Sequence, residues 1–496
     1  KCLTTIYLCY TRIQIFMNIL LIQPEKVPGI HNDIRGFIPL PLLYLAAAVR
    51  DHGHSPHLLD FSVLDIPESK KSRTTFLKNT CNTKIKEFGI KLVGINCFTS
   101  MHFSLVEELA EIIKRHNPDV KICIGGSHPT FFGEDILANN KCIDYIVAGE
   151  GEEALIRLAK IVENGHDMLT QETEISNIPA LIYRNNNGEI LNNLRKSYLK
   201  EINTLKMPAW DLIDLTDYSS NHHTYYNPKK LKFHLTVPIM SSRSCPFSCT
   251  FCSAHLIMGN SYRKKTAVQL VDEIEYLHVE RNQNYFSFMD DAINIEKKHV
   301  IDICNEIGKR NLNIQFSVEQ GLYMAKVDKE LVDTLADAGM VTLYLPIEHG
   351  DEKIRTSILR KKLTDEKIYE VLGYAKDRDL FTVGLFLMGI PEETEETLEQ
   401  TRKFIIDLSL DINIVSRLVP FPKTAIADQA KRDGLLLINT DDVWNGNEFF
   451  SPKNRGQFFI KPYNASLEIL HKYREIFNSM HYFSERAKKL NNIKSV

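Results

Sequence analysis

Cys245, Cys249 and Cys252 fall within eight residues, in the stretch SRSCPFSCTFCSAH at 242–255, with the spacing Cys-x3-Cys-x2-Cys. Thiolates at these gaps can converge on one inorganic centre. A structural zinc site closes with four ligands, as paired Cys-x2-Cys elements or with histidine. No second pair follows here. The next cysteine, Cys304, lies in a helical pattern, and His255 would have to complete the set. A redox dithiol needs only two cysteines. Three suit a four-iron–four-sulfur (4Fe–4S) cluster with one iron left open to a substrate or cosubstrate. On that reading the missing fourth ligand is the functional position.

The elements that must hold this loop are legible around it. From residue 235 onward strand and helix patterns alternate. Strand candidates lie at 235–241, 285–290, 313–318, 341–348, 382–389 and 412–419, with helical stretches such as AVQLVDEIEYLHVERN between them. Six βα repeats predict a partial (β/α) barrel, with its active site at the C-terminal strand ends. The cysteines follow the first of these strands, at that end. The region before it also alternates. NILLIQP (18–24), IKLVGINCF (90–98) and VKICIGG (120–126) read as buried strands, and SLVEELAEIIKRHNP (104–118) as an amphipathic helix stopped by Pro118. This predicts a Rossmann-like, doubly wound parallel sheet whose ligands bind beyond the carboxyl ends of the strands. Gly125, Gly126, Ser127 and His128 sit at one such end, and Gly149, Glu150, Gly151 and Glu152 at the next.

The predicted organisation is 17–165 for the first domain, 166–234 for a connector with a hairpin at Asn187–Gly188, 235–430 for the barrel core and 431–496 for a small C-terminal region that shapes substrate choice. MNILLIQP at Met17 reads as a natural start, which makes 1–16 an upstream extension; a membrane-associated tail is the alternative. The net charge of −3 over 496 residues offers no basic stripe for nucleic acid. The most apolar run, FIPLPLLYLAAAV at 37–49, holds Pro39 and Pro41 and is shorter than the ~20 residues of a membrane span. It reads as a buried loop and helix. The remaining cysteines sit in apolar contexts rather than in a disulfide framework, which points to a reduced, cytoplasmic setting.

The motif and its flanks resemble one family. Cys245-x3-Cys249-x2-Cys252, with Phe251 before the last cysteine, looks like the signature of the radical S-adenosylmethionine (SAM) superfamily. SSRSCPFSCTFCS is similar to the Ser-Arg-Gly-Cys-Pro-x-x-Cys-x-Phe-Cys of the branch that carries a cobalamin (B12)-binding domain, with Ser244 in place of Gly. SYRKKTAVQL resembles its Tyr-Arg-x-Arg region, with Lys265 for the second Arg. LYLPIEHGDEKI resembles a fourth strand ending Ile-Glu-Ser-Gly, with His349 for Ser. GLFLMGIPEETEETL resembles Gly-x-Pro-x-Glu-Thr, and VPFPKTAIADQA resembles Pro-x-Pro-Gly-Thr, with Lys423 for Gly. VGINCFTS, IGGSHPTFF and IVAGEGEEAL are similar to the family's cobalamin-binding domain. The resemblance covers roughly Asn18 to Gln429.

The resemblance implies three cofactors: a 4Fe–4S cluster on Cys245, Cys249 and Cys252, SAM on its open iron, and cobalamin. It implies reductive cleavage of SAM to a 5′-deoxyadenosyl radical. Phe251 would pack near cluster and adenine, Glu348 would hydrogen-bond SAM, Asp290 and Asp291 would accept its ammonium, and Gly389 would shape a turn beside adenine. Arg243 would stabilise the anionic cluster or else pair with a carboxylate. Gly125, Gly126, Ser127, Gly149, Glu150 and Gly151 would line the cobalamin groove. No Asp-x-His occurs in the chain, so the lower cobalt ligand of many cobalamin domains has no counterpart, and His128 is the remaining candidate. His222, His223, Tyr225 and Tyr226 would cover the active site or form a solvated linker. The implied activity is methylation of an unactivated carbon or phosphorus of a small-molecule or lipid substrate through methylcobalamin. The alternatives are an oxidative cyclisation or ring rearrangement without methyl transfer, and a non-catalytic cobalamin or iron–sulfur sensor. A one-electron reductant such as flavodoxin or ferredoxin would be the protein partner.

Overall fold

The computed structural model describes residues 17–27, 36–165, 168–193, 198–219, 226–438 and 456–492. Residues 1–16, His222, His223 and Tyr225 lie outside the described residues. The first sheet has seven strands: β1 (Asn18–Gln23), β2 (Ser55–Asp60), β3 (Leu92–Asn96), β4 (Lys121–Gly125), β5 (Tyr145–Val147), β6 (Leu181–Arg184) and β7 (Ile190–Asn192). Their order is β2-β1-β3-β4-β5-β6-β7. The first five are parallel, and β6 and β7 join antiparallel. The chain leaves β1 toward β2 on one side and β3 on the other. That reversal opens a crevice at the carboxyl ends of β1 and β3, where doubly wound sheets bind ligands.

One boundary differs from the sequence reading. The hairpin at Asn187–Gly188 forms, with Gly188 at φ 84°, but its strands extend the first sheet. The first domain therefore continues past 165 to β7. A short antiparallel pair after a helix has the local pattern of a linker, and only its pairing with β5 reveals its place.

The second sheet follows a small antiparallel clasp. Strand β8 (Val237–Ile239) leads to β9 (Ser242–Arg243), which pairs with β10 (Arg263–Lys264). Then come β11 (Tyr285–Phe288), β12 (Gln315–Ser317), β13 (Met340–Glu348), β14 (Phe381–Met388) and β15 (Ile412–Arg417). The order β8-β11-β12-β13-β14-β15 is parallel throughout, an open six-stranded (β/α) barrel. Each of the six strands overlaps a predicted one.

The apolar run at 37–49 becomes helix α1 (Leu40–Asp51), which has two buried faces. Leu43 and Tyr44 belong to the barrel core with Trp210 and Val237, while Leu42, Ala46 and Val49 belong to the first-domain core with Ile19 and Leu21. A helix apolar all round is one buried all round. Where it meets the barrel, a polar cluster is enclosed. Lys265 Nζ donates to the Tyr44 hydroxyl at 2.6 Å and pairs with Glu273 at 2.9 Å, and Trp210 Nε1 donates to Glu273 at 3.2 Å. Lys265, the departure from the family's arginine, thus carries the only cation paired with Glu273 among the described residues.

Removing one member of a buried pair leaves the other charged and desolvated, which costs about 3–5 kcal/mol. Lys265→Met should lower the free energy of urea unfolding by about that much, read from fluorescence of Trp210 beside the pair.

Candidate active site

The cysteine loop spans 244–262 and is tied at its base by the β9–β10 clasp. It starts with Ser244 at φ 68°, a left-handed conformation that explains why glycine is usual there. Lys423, the other residue standing for a glycine, keeps φ 61°. Thr250 fastens the middle of the loop. Its hydroxyl donates to Ile358 O at 2.9 Å and its N–H to Leu359 O at 3.2 Å. The three cysteine side chains are half-buried. Burial pushes Cys252 up to about 11 and raises Cys245 and Cys249, and each thiol raises another's value through charge. Lys361 works in the opposite direction on Cys245 and Cys249. A half-buried thiol triad with a lysine beside it suits a larger anionic cluster whose metal ions take up the thiolate charge.

Around the triad stand the barrel's strand ends. Glu348 ends β13 at φ 71°, a strained conformation for a non-glycine residue, and its carboxylate pairs with Lys361 at 2.5 Å. Asp291 is open to solvent, yet the surrounding protein, followed by neighbouring Asp290, pushes its carboxyl up to about 6. That combination fits a group on the wall of a deep open chamber. No described side chain hydrogen-bonds it. Tyr323 stacks on Phe247 of the loop at 4.0 Å between ring centres. Glu319, beyond β12, is raised by burial and is hydrogen-bonded to Ser287 and Ser317. Phe251 packs among residues following the last three strands, including Ile354, Ile390 and Leu418. Gly389 (φ 87°) opens a turn closed by Glu393, which accepts from the Gly389 N–H at 2.6 Å.

The second half of the site is a pocket at the β1/β3 crevice. Leu21, Gly94, Gly125, Gly126, Ser127, Gly149, Glu150 and Gly151 line it from the first domain, and Arg243, Ile257 and Met258 from the cysteine arm. Its glycines let backbone approach a large flat ligand closely. At Gly126 (φ 124°) a Cβ would lie 2.3 Å from Cys97 O, and at Gly149 (φ 85°) one would lie 3.0 Å from Ile257 O. Arg243 Nε is buried without a hydrogen-bond partner. A crevice lined by Gly94, Gly125, Gly126, Gly149 and Gly151 beside Leu21 suits a large flat ring such as the corrin.

Two expected roles, those of His128 and Asp290, need correction, while Glu150 and Arg243 follow readings already given for them. His128 is 1% exposed, lies between Phe103 and Phe132, and holds Ser100 Oγ at 2.9 Å, so its imidazole is packed into the first domain and is not part of the pocket wall. Asp290 is fully buried. It accepts from Ser241 N–H at 3.1 Å and from the hydroxyls of Ser241 and Ser242, which braces the turn before the cysteines and leaves little for an ammonium group. Glu150 lines the pocket, but its carboxylate is taken up by Arg243 at 3.1 Å, by Arg263 at 2.7 Å and by the Leu199 N–H at 2.8 Å. Arg243 follows the second of its two readings and pairs with carboxylates, Glu150 at 3.1 Å and Glu152 at 2.6 Å. Sequence reading missed Lys361, Tyr323 and Arg263's partner. The acidic residues of Gly-Glu-Gly-Glu and the two arginines flanking the cysteine loop were the available signal for the last of these.

Comparison with known proteins agrees with this geometry. A family model described as the radical SAM superfamily matches residues 239–405, and one described as the B12 binding domain matches 36–159. An uncharacterized methyltransferase of Pyrococcus horikoshii is 28% identical over 85% of this chain and 84% of its own length. The anaerobic magnesium-protoporphyrin IX monomethyl ester cyclase of Cereibacter sphaeroides is 26% identical over 84% of this chain, which spans 64% of that enzyme. The radical SAM methyltransferase TsrM of Kitasatospora setae, solved with cobalamin and a 4Fe–4S cluster, superposes with a TM-score of 0.71 at 18% identity, covering 94% of this chain and 89% of that one. The chain belongs to the cobalamin-binding radical SAM enzymes. Its cofactors are a 4Fe–4S cluster, SAM and cobalamin. No described helix is long and apolar enough to cross a membrane.

Burial works to raise the Glu152 carboxyl, but Arg243 more than offsets it by charge and hydrogen bonding and holds it below the ordinary 4.5. A carboxyl lowered in the folded state stabilises the fold above its unfolded value, and that contribution is lost as pH falls through the folded one. Glu152→Gln should therefore lower the urea midpoint at neutral pH. The gap from wild type should narrow as the buffer is taken below 4.5.

Proposed function

We propose that the chain methylates an unactivated carbon or phosphorus of a small-molecule or lipid substrate in a cobalamin-dependent radical SAM reaction. The observation that carries this is the shared wall of the two halves of the site. The arm that bears the cysteines also lines the glycine-rich crevice, so SAM on the cluster and the corrin in the crevice would meet one chamber. When bound, the cluster and SAM supply a carbon radical, and cobalamin supplies a methyl carrier. The protein's part is to hold and orient. Cys245, Cys249 and Cys252 would ligate three irons. Asp291, uncommitted on the chamber wall, would take the methionine ammonium. Glu348 would exchange Lys361 for a hydrogen bond to SAM, freeing the lysine for the SAM carboxylate. Phe251 and the Gly389 turn would flank the adenine. Ser287, Ser317 and Glu319, deeper in the barrel, would meet the substrate.

The relative from Pyrococcus horikoshii, matched along nearly its whole length, supports methyl transfer. The likeness to the ester cyclase keeps cyclisation without methyl transfer as a second reading. A flavodoxin or ferredoxin would deliver electrons, in the cytoplasm.

Anaerobically reconstituted protein, incubated with SAM, hydroxocobalamin and a strong reductant, should form both 5′-deoxyadenosine and S-adenosylhomocysteine. Cys249→Ala should abolish the first. Deoxyadenosine alone, from protein that retains cobalamin, would favour the cyclase reading.

A further inference from the structure

The buried charges at the base of the cysteine loop join three motifs that lie far apart in the sequence. Arg243 is 93 residues from Glu150 and 91 from Glu152, and Arg263 is 113 from Glu150. All four side chains are nearly sealed: Arg243 and Arg263 are each 5% exposed, Glu150 1% and Glu152 6%. Two guanidinium groups and two carboxylates balance. The arginines face each other across the β9–β10 clasp, Arg263 opposite Arg243, so the loop is gripped at both of its ends. Glu150 belongs to the loop after β5, which supplies Gly149, Glu150 and Gly151 to the corrin crevice, and Glu152 opens the helix that follows. The same two segments touch a second time, where Ile257 O of the cysteine arm sits against Gly149. Arg263 is further steadied by Tyr198, 5.4 Å from its ring, and by the carbonyls of Leu199 and Met258, each at 2.8 Å.

We propose that Arg243 and Arg263, held by Glu150 and Glu152, are positioning residues that fix the separation and relative orientation of the cluster and the corrin. This rests on the crevice being the cobalamin site. The requirement is geometric. A buried ion cluster is rigid because any displacement leaves a desolvated charge unpaired, and a group misplaced by about 1 Å can cost about a hundredfold in rate. Loosening the grip should therefore uncouple the two cofactors while leaving each in place.

The test compares wild type with Arg243→Lys, which keeps the charge but loses the two-pronged contact, and with the double variant Arg243→Met/Glu152→Met, which removes opposite charges together and leaves no orphan between them. All three are loaded with cluster and cobalamin and reduced. The direct readout is the relaxation of the cob(II)alamin electron spin by the reduced cluster, which depends on their separation and not on turnover. We expect both variants to keep their iron, sulfide and cobalamin content but to show altered relaxation. Cobalamin-dependent S-adenosylhomocysteine formation should fall by about tenfold or more, while deoxyadenosine formation stays within about threefold. Arg243→Lys should fall between wild type and the double variant. Unchanged relaxation in variants that carry both cofactors would overturn the proposal, as would parallel loss of both products with relaxation intact. A wild-type protein that takes up cluster but no cobalamin would overturn the crevice assignment itself. One that holds both cofactors, shows the relaxation effect and forms no S-adenosylhomocysteine would refute methylation while supporting the grip.

Discussion

A charge taken out of water must find its opposite, and four charges solve that requirement together between the two domains. Arg243, Arg263, Glu150 and Glu152 cannot be buried one at a time. They can be buried only when the loop after β5 and the base of the cysteine loop arrive at the same place. The apolar face of α1 supplies the driving force for docking, and the ion cluster supplies the register. Lys265, Glu273, Tyr44 and Trp210 repeat the arrangement one layer away, again with a residue from the Tyr-Arg-x-Arg region reaching toward the first domain. The motif after the cysteines thus serves domain docking on alternate residues, Arg263 and Lys265.

Three residues of the family's motifs carry backbone strain. Ser244, Glu348 and Lys423 all hold left-handed backbone without being glycine. Such conformations persist when the surroundings over-determine them. Ser244 is held by its hydroxyl, which donates to Ser261 O, and Glu348 by its ion pair with Lys361. At Ser244 and Lys423 the sequence departs from the family's glycine while the backbone keeps the conformation glycine would have taken. A further departure, His349 for serine, is wholly buried and joins β13 to the following motif, with Nε2 lying 3.4 Å from Glu393. Glu393 in turn caps the Gly389 turn, so the Gly-x-Pro-x-Glu-Thr motif is largely a device for shaping a strand end.

The strands were legible because each is a short apolar run bounded by turn residues, and that pattern is local. The same locality explains the misses. The strands at 181–192 read as a connector because nothing near them in sequence reveals that β5 is their partner. Asp290 and Asp291 are adjacent acids at one strand end, indistinguishable by composition, yet one faces the Ser241–Ser242 turn and the other an open chamber. Arg243 beside a cysteine motif invites the thought of a cluster contact, and only the fold shows that carboxylates some ninety residues earlier have claimed it. Lys361 lies in the run RKK, which reads as a solvated face, until the helix end at 354–359 turns it inward.

Helix α1 has one face in each core, and this bears on how such a protein can arise and be altered. The B12-binding match begins at residue 36 and the radical SAM match at 239, as if two cassettes had been joined. Yet the helix that opens the first cassette is a structural part of the second. A barrel expressed from 235 onward would lack Leu40, Leu43 and Tyr44, which α1 adds to its core, and would present a bare greasy strip to solvent. Lineages that exchange cobalamin domains must therefore carry this helix and its apolar pattern along with the barrel that it caps, so inheritance at this junction is expected to follow the shared helix more closely than either domain border.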